Sequence, residues 1–277
     1  MPDTGYFRAD AENDFQRARR RQILSQVVVQ LQGKPADVSE MLLFDDVVAA
    51  LGHIGEHRLG LQIVALDTIV GSVGRIRDFD CWFHPRAKVN RQRWIQLALA
   101  QRRGEFIPPV DLYRIGELHF VRDGHHRVSV ALALRLGTID GYVTEVTTRV
   151  DAAGIRHRGD LVTKYQRRLF LDRVPLPGPE VASIIVTRPR SYIELSEAVE
   201  AWGFRLVQRE ARYLDRATVA RRWYAEEFLP VVQVLGEAGL VGDSTDADAY
   251  LRLAAHRNRL PDTLRWPDDV VERIRGG

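Results

Sequence analysis

The side chains best suited to chemistry lie in the short segment Asp-Gly-His-His-Arg, residues 123–127. The segment follows a strand-like apolar run, residues 118–122, and precedes a run that is apolar nearly all round, residues 128–136. Asp-Gly is a typical turn sequence, so this pattern predicts a strand, a tight turn and a buried helix that begins near His125.

The start of such a helix attracts anions. Its first backbone N–H groups lack partners within the helix, and the helix dipole places about half a positive charge there. Gly124 allows close approach of a ligand, Arg127 adds a forked donor, and His125 and His126 supply further donors. The residue types therefore predict an anion site formed by these four residues.

The same segment allows two other interpretations. Asp123 could cap the helix while Arg127 pairs with a carboxylate elsewhere and the histidines serve only in packing. Alternatively, His119, Asp123, His125 and His126 could hold zinc or iron, although adjacent histidines rarely point at one ion. Elsewhere the sequence has no phosphate-binding P-loop, no dinucleotide-binding fingerprint and no His-Glu-x-x-His or Gly-x-Ser-x-Gly motif.

Composition narrows the class of protein. The chain has 277 residues, of which 45% are apolar and 28% charged, as expected of a globular protein. A net charge of +3 argues against binding nucleic acid by charge alone, and the single cysteine, Cys81, excludes an internal disulfide. No apolar run is long enough to cross a membrane, and the first 14 residues do not resemble a signal peptide, so we predict a cytoplasmic protein.

Hydrophobic periodicity predicts the elements around the motif. Residues 10–31 are expected to form a helix that buries a stripe of Leu24, Val27, Val28 and Leu31. A second helix, capped by Ser39 and ended by Gly52, is expected to bury Leu42 and Leu43. Further helices are predicted over residues 88–103, 125–136, 194–202, 216–235 and 247–256. Strands are predicted over residues 61–66, 110–114, 118–122 and 139–146, whereas the segment around His53 and His57 is predicted to be a loop.

These elements predict an α+β fold with a mixed α/β centre. The predicted divisions are an N-terminal helical region (1–59), a central domain with a small sheet (60–150), a linker (151–180) and a C-terminal helical region (181–277). The linker prediction depends on three prolines and a glycine between Val174 and Pro179.

The central region resembles the ParB/sulfiredoxin superfamily. The resemblance covers residues 60–150 and is carried by the Val-Ala-Leu-Asp-Thr-Ile-Val-Gly-Ser-Val-Gly-Arg segment from Val64 to Arg75, by Pro108-Pro109 and by the motif with its helix. Asp-Gly-His-His-Arg matches the free-serine kinase branch letter for letter. His125 stands where sulfiredoxins have a cysteine and ParB proteins a glutamate, so the resemblance does not imply reduction of sulfinic acids.

The resemblance implies a ligand and further site residues. In that superfamily the matching elements hold the phosphates of ATP, ADP or CTP, so Ser72 and Arg75 join Gly124, His125, His126 and Arg127 as expected nucleotide-binding residues. Asp123 is expected to position a divalent ion, Mg²⁺, as a catalytic residue.

Two functions follow from this. The first is a nucleotide-dependent phosphotransferase acting on a small hydroxyl substrate such as a free amino acid, with Asp78, Asp80 and Glu105 as candidates for the base. The alternative is a regulatory module in which nucleotide binding changes homodimerisation or contact with DNA. Residues 195–204 could form half of a helix-turn-helix, but residues 205–213 do not supply the rest.

Overall fold

The computed structural model describes residues 5–31, 41–74, 78–87 and 89–257. The chain divides into two compact units, Met1–Lys164 and Tyr165–Gly277. Helices and one mixed sheet together form the α+β fold predicted from the sequence. The division differs from the predicted one, because the N-terminal helices belong to the same unit as the sheet and the expected linker, residues 151–180, contains two helices.

The described part of the first unit contains a six-stranded sheet in the order β1-β3-β5-β4-β6-β2. Its strands are β1 (Leu42–Leu43), β2 (His53–Ala65), β3 (Ile69–Ser72), β4 (Val110–Ile115), β5 (Leu118–Asp123) and β6 (Thr138–Thr148). The strands predicted over residues 110–114 and 118–122 are confirmed as β4 and β5, which pair antiparallel with Ile115 opposite Leu118. β3 and β5 run parallel, so their carboxyl ends meet at the same edge of the sheet.

Four helices cover this sheet in the described residues: α1 (Phe7–Leu31), α2 (Phe44–Leu51), α3 (Arg91–Arg102) and α4 (His125–Ala133). One buried cluster joins α1, α3 and α4 to the inward side chains of the strands, among them Leu112 and Val121. α2 packs on the opposite face, because Phe44 stacks on Tyr113, the strand neighbour of Leu112, at 4.5 Å between ring centres.

The helix predicted at the N-terminus is present, but the prediction of its buried face is wrong. Leu24, Val27 and Val28 are exposed, and the side chain of Leu31 lies outside the described part. The buried face is formed by Asp10, Ala11, Asp14, Phe15, Ala18 and Gln22. Phe15 packs edge-on against Trp94 of α3, and Asp14 Oδ2 lies 2.7 Å from Arg102 Nη2, so contact with α3 decides which face is inside.

Two other local predictions need correction. Leu42 and Leu43 form strand β1, and α2 begins only at Phe44; Ser39 lies outside the described residues. His53 and His57 lie on β2 and not in a loop, because their backbone pairs with β6 opposite Thr148 and Glu145.

The second unit is helical in its described part. α5 (Asp160–Arg173) crosses the boundary between the units, and α6 (Gly178–Ser183), α7 (Ser191–Glu210), α8 (Arg216–Trp223), α9 (Leu229–Glu237) and α10 (Asp246–Arg257) follow. The predicted C-terminal helices are confirmed, and residues 195–204 lie in the middle of α7. Trp223 Nε1 donates to Tyr250 Oη at 3.0 Å in the core. No helix in the described ranges has the length and apolar character that a membrane span requires.

Candidate functional site

The strand, turn and helix predicted around the motif are confirmed. β5 ends at Asp123, and Gly124 precedes α4 with φ 101° and ψ 19°, a conformation that residues with a Cβ rarely adopt. A Cβ at Gly124 would also lie 2.5 Å from Val110 Cγ1. The tight turn therefore requires glycine, and it directs the first turn of α4 to the edge of the sheet.

Arg127 makes an ion pair within the motif. Its Nη2 donates to Asp123 Oδ2 at 2.6 Å, and its Nη1 donates to the carbonyl oxygens of Pro108, at 2.8 Å, and Pro109. The interpretation in which Arg127 pairs with a carboxylate elsewhere is therefore wrong in its partner, because the carboxylate is Asp123 of the motif itself. The Asp123 side chain remains 65% exposed, against 15% for Arg127. Arg127 thus fixes an accessible carboxylate at the start of α4.

The two histidines are buried and held in place by their neighbours. His125 Nε2 lies 2.6 Å from Ser72 Oγ, and the His125 ring stacks on Phe79. His126 meets the same phenyl ring edge-on, at 5.4 Å between ring centres. Ser72 is completely buried and also contacts the carbonyl oxygens of Gly74 and Val121. Ser72 therefore holds the His125 ring in place through its hydroxyl group. Arg75, the other residue expected from the resemblance, lies outside the described residues.

A cavity of about 250 Å³ opens at the start of α4. It is lined by the five motif residues together with Arg93, Leu97 and Pro108. Arg93, which sequence analysis did not identify, is exposed, and its guanidinium makes no hydrogen bond or ion pair with any described residue. Its position on α3 reaches the cavity only through helix packing, so no local sequence signal could have identified it.

A second cavity of about 270 Å³ adjoins the first, because Leu97, Pro108 and Arg127 line both. Its apolar side chains come from α3, α4 and the two segments 106–108 and 136–139. Phe106 in this wall is 85% exposed. Four polar side chains complete the lining: Gln101, Glu105, Thr138 and Asp140.

The three carboxylates considered as a base have different environments. Asp80 is buried and accepts hydrogen bonds from the backbone N–H groups of Trp82 and His84, so it organises a loop. Glu105 lines the second cavity, where its side chain is about half exposed. Asp78 lines neither cavity. Of the three, Glu105 alone lines a cavity that Arg127 also lines.

A metal site built from the motif histidines receives no support. His119 Nδ1 contacts Thr68 Oγ1 at 2.9 Å, and burial lowers the pKa of His119, with Arg114 adding to the effect. Across the described ranges no group of three or more His, Cys, Asp or Glu side chains could hold a metal ion. A phosphate-bound Mg²⁺ needs only one or two protein carboxylates, which the exposed Asp123 could supply.

Comparisons with models of known protein families, with curated proteins and with solved structures found no match for this chain. The geometry defines the site in chemical terms: a helix start flanked by two arginines and one exposed carboxylate, beside a cavity with both apolar and polar lining. Such an arrangement can bind an anion that carries an apolar or aromatic group.

Proposed function

We propose that this protein binds a nucleoside diphosphate or triphosphate, with the phosphates at the start of α4. The observation that carries the proposal is the cavity in which Arg93, Arg127 and the first turn of α4 converge. Arginine guanidinium groups and helix N-termini are both favourable partners for phosphate. Arg93 has no competing partner among the described residues, so its donors can all be directed to a ligand.

The adjoining cavity suits the nucleoside. Its apolar wall and the exposed ring of Phe106 can pack against a base, and Gln101, Thr138 and Asp140 can bond polar groups of the base or ribose. The two cavities measure about 250 and 270 Å³ and share three lining residues, so together they have the size of a usual small-molecule site.

The choice of ATP, ADP or CTP comes from the resemblance to the ParB/sulfiredoxin superfamily. That resemblance also favours Mg²⁺, which the exposed Asp123 carboxylate would hold beside the phosphates. The ion would neutralise phosphate charge. The residues of the chain would position the phosphates, which is the main requirement of phosphoryl transfer.

The catalytic part of the proposal is transfer of the terminal phosphoryl group to a small hydroxyl substrate such as a free amino acid. The substrate oxygen forms a new bond to phosphorus, the bond to the nucleoside diphosphate breaks, and the hydroxyl proton passes to a base. Glu105 is assigned that role because it lines the second cavity together with Arg127, whereas Asp80 accepts hydrogen bonds from the backbone of its own loop.

Calorimetric titration with ATP, ADP and CTP tests binding. Arg93→Ala should weaken the affinity for the bound nucleotide about 10- to 150-fold, because each charge-assisted hydrogen bond contributes about 1.5–3 kcal/mol. Arg135→Ala, an exposed arginine just beyond the other end of α4, is the matched control and should leave the affinity unchanged. Equal affinities for the wild type and Arg93→Ala would contradict the proposal that the phosphates bind beside Arg93.

A product assay separates the two functions. Incubation with nucleotide, Mg²⁺ and a panel of amino acids should yield a phosphorylated amino acid, and Glu105→Gln should slow its formation more than it weakens nucleotide binding. A nucleotide-responsive regulatory module would give no product. Its homodimerisation or its salt-sensitive affinity for DNA would change on nucleotide addition.

A further inference from the structure

We propose a second ligand site on the first unit, specific for a small apolar or aromatic monocarboxylate. The site is a cavity of about 560 Å³ that shares no lining residue with the two cavities at the motif. Its apolar wall is formed by Leu42, Leu66, Ile69, Val70, Phe83 and Leu132. Two loops, residues 81–84 and 156–157, bring polar side chains to this wall.

The first loop presents a histidine held by a buried carboxylate. His84 Nδ1 lies 3.1 Å from Asp80 Oδ2, and Asp80 also accepts from the backbone N–H groups of Trp82, at 3.0 Å, and His84, at 2.8 Å. Asp80 is only 2% exposed, so the loop and the His84 ring are fixed together. The contact uses Nδ1 and leaves Nε2 of His84 for a ligand.

The second loop repeats this arrangement with different residues. His157 Nδ1 lies 3.2 Å from Asp160 Oδ2, and the same oxygen accepts from the backbone N–H groups of Arg156 and His157. Because this contact also uses Nδ1, Nε2 of His157 is the ring nitrogen that can contact a ligand. Arg156 lines the same cavity through a side chain that has no hydrogen bond or ion pair within the described part of the chain.

These groups define the chemistry of the ligand. Arg156 favours a carboxylate, and Nε2 of each imidazole can bond to a polar group of the same ligand. Asp67, also in the lining, carries the opposite charge and disfavours ligands with several acidic groups. The apolar wall and the Trp82 indole, 46% exposed, favour an aliphatic or aromatic body, and the volume suits a small organic molecule.

The lining argues against two other uses of this cavity. Burial raises the pKa of Cys81 to about 12, with the charge of Asp80 adding to the effect, so the thiol does not act as a thiolate nucleophile. The described His, Cys, Asp and Glu residues include no group of three that could hold a metal ion, so the imidazoles are not part of a metal cage.

Ligand-observed NMR titration of the full chain tests the proposal. The probes are octanoate, phenylacetate and indole-3-acetate, each compared with its neutral amide. At least one carboxylate should bind saturably, and its amide should bind roughly tenfold more weakly, because the amide lacks the charge that Arg156 recognises.

Variants locate the bound probe. Arg156→Gln and His157→Gln, both at exposed positions, should each weaken binding of the carboxylate roughly tenfold, whereas Arg158→Gln in the same loop should have no effect. Arg127→Ala should leave probe binding unchanged, which separates this test from that of the nucleotide site. The proposal is overturned if no probe binds at millimolar concentration, if the amides bind as tightly as the acids, or if Arg156→Gln and His157→Gln bind like the wild type.

Discussion

Asp123 Oδ2 lies 2.6 Å from Arg127 Nη2, so the first and last residues of the Asp-Gly-His-His-Arg motif form an ion pair at the start of α4. The pair gives Arg127 a fixed direction, and it also makes Asp123 a competitor of any phosphate that approaches the same guanidinium. Under the proposed function, Asp123 would have two opposite effects on a nucleotide: it would repel phosphate directly and attract it through Mg²⁺.

Substitution Asp123→Asn should separate these two effects. Without Mg²⁺, ADP should bind up to about fivefold more tightly, because a partly exposed ion pair contributes at most about 1 kcal/mol and its loss releases Arg127. The gain in affinity that Mg²⁺ gives the wild type should disappear. Calorimetry with and without Mg²⁺ measures both, and Asp45→Asn on α2 is the control. Equal effects of Asp123→Asn with and without Mg²⁺ would contradict a role in holding the ion.

Substitution Gly124→Ala should destabilise the first unit by about 1–3 kcal/mol. The new Cβ would be forced into a positive-φ conformation and against Val110, which is fully buried. Gly137→Ala is the matched control, because nothing lies within 4 Å of a Cβ at that position. Urea unfolding of both variants measures the difference, and equal free energies of unfolding would show that the turn tolerates a side chain.

His119 should make the fold less stable in acid. Burial, with Arg114, lowers the pKa of His119 in the folded protein, so the unfolded chain binds the proton more readily than the folded chain. The free energy of unfolding should therefore fall as the pH drops below about 6.5, the ordinary value for histidine. In urea titrations, the free energy of unfolding of His119→Asn should depend less on pH between pH 7 and pH 5 than that of the wild type. Parallel curves for the two proteins would exclude this contribution.

Cys81 should react slowly with thiol reagents while the protein is folded. Its pKa of about 12 leaves roughly one thiolate in ten thousand molecules at pH 8, whereas an unfolded cysteine has a pKa of about 8.5. Absorbance with a chromogenic disulfide should show reaction at least about a hundredfold faster in urea than in buffer. Comparable rates in the two solvents would indicate that the loop of residues 81–84 is open.

Local chemistry determined which parts of the fold could be predicted. The turn at Gly124 and the helix after it follow from Asp-Gly and from a continuous apolar run, both of which are visible within about fifteen residues of sequence. β2 was predicted too short because Gly55 and Gly60 indicated breaks. Its hydrogen bonds come from β6, which lies more than seventy residues away in the sequence.

The site was only partly predictable, because some of its residues come together from distant parts of the sequence. The five motif residues are adjacent in sequence and lie together in the structure, whereas Arg93 reaches them only because α3 packs beside α4. On α1 the apolar stripe at Leu24 and the face at Phe15 both have helical spacing. Which of them is buried depends on contact with Trp94 of α3, whose position no local pattern shows.

Helix α4 lines both the cavity at the motif and the 560 Å³ cavity, so its hydrogen exchange is sensitive to ligands in either one. His125, His126 and Arg127 border the motif cavity, and Leu132, near the other end of the same nine-residue helix, borders the 560 Å³ cavity. Amide protons in this helix exchange with solvent only when its hydrogen bonds open, and opening spreads through short helices as a unit. Deuterium uptake across α4 would therefore fall when a ligand occupies either cavity, although each ligand contacts only one end of the helix.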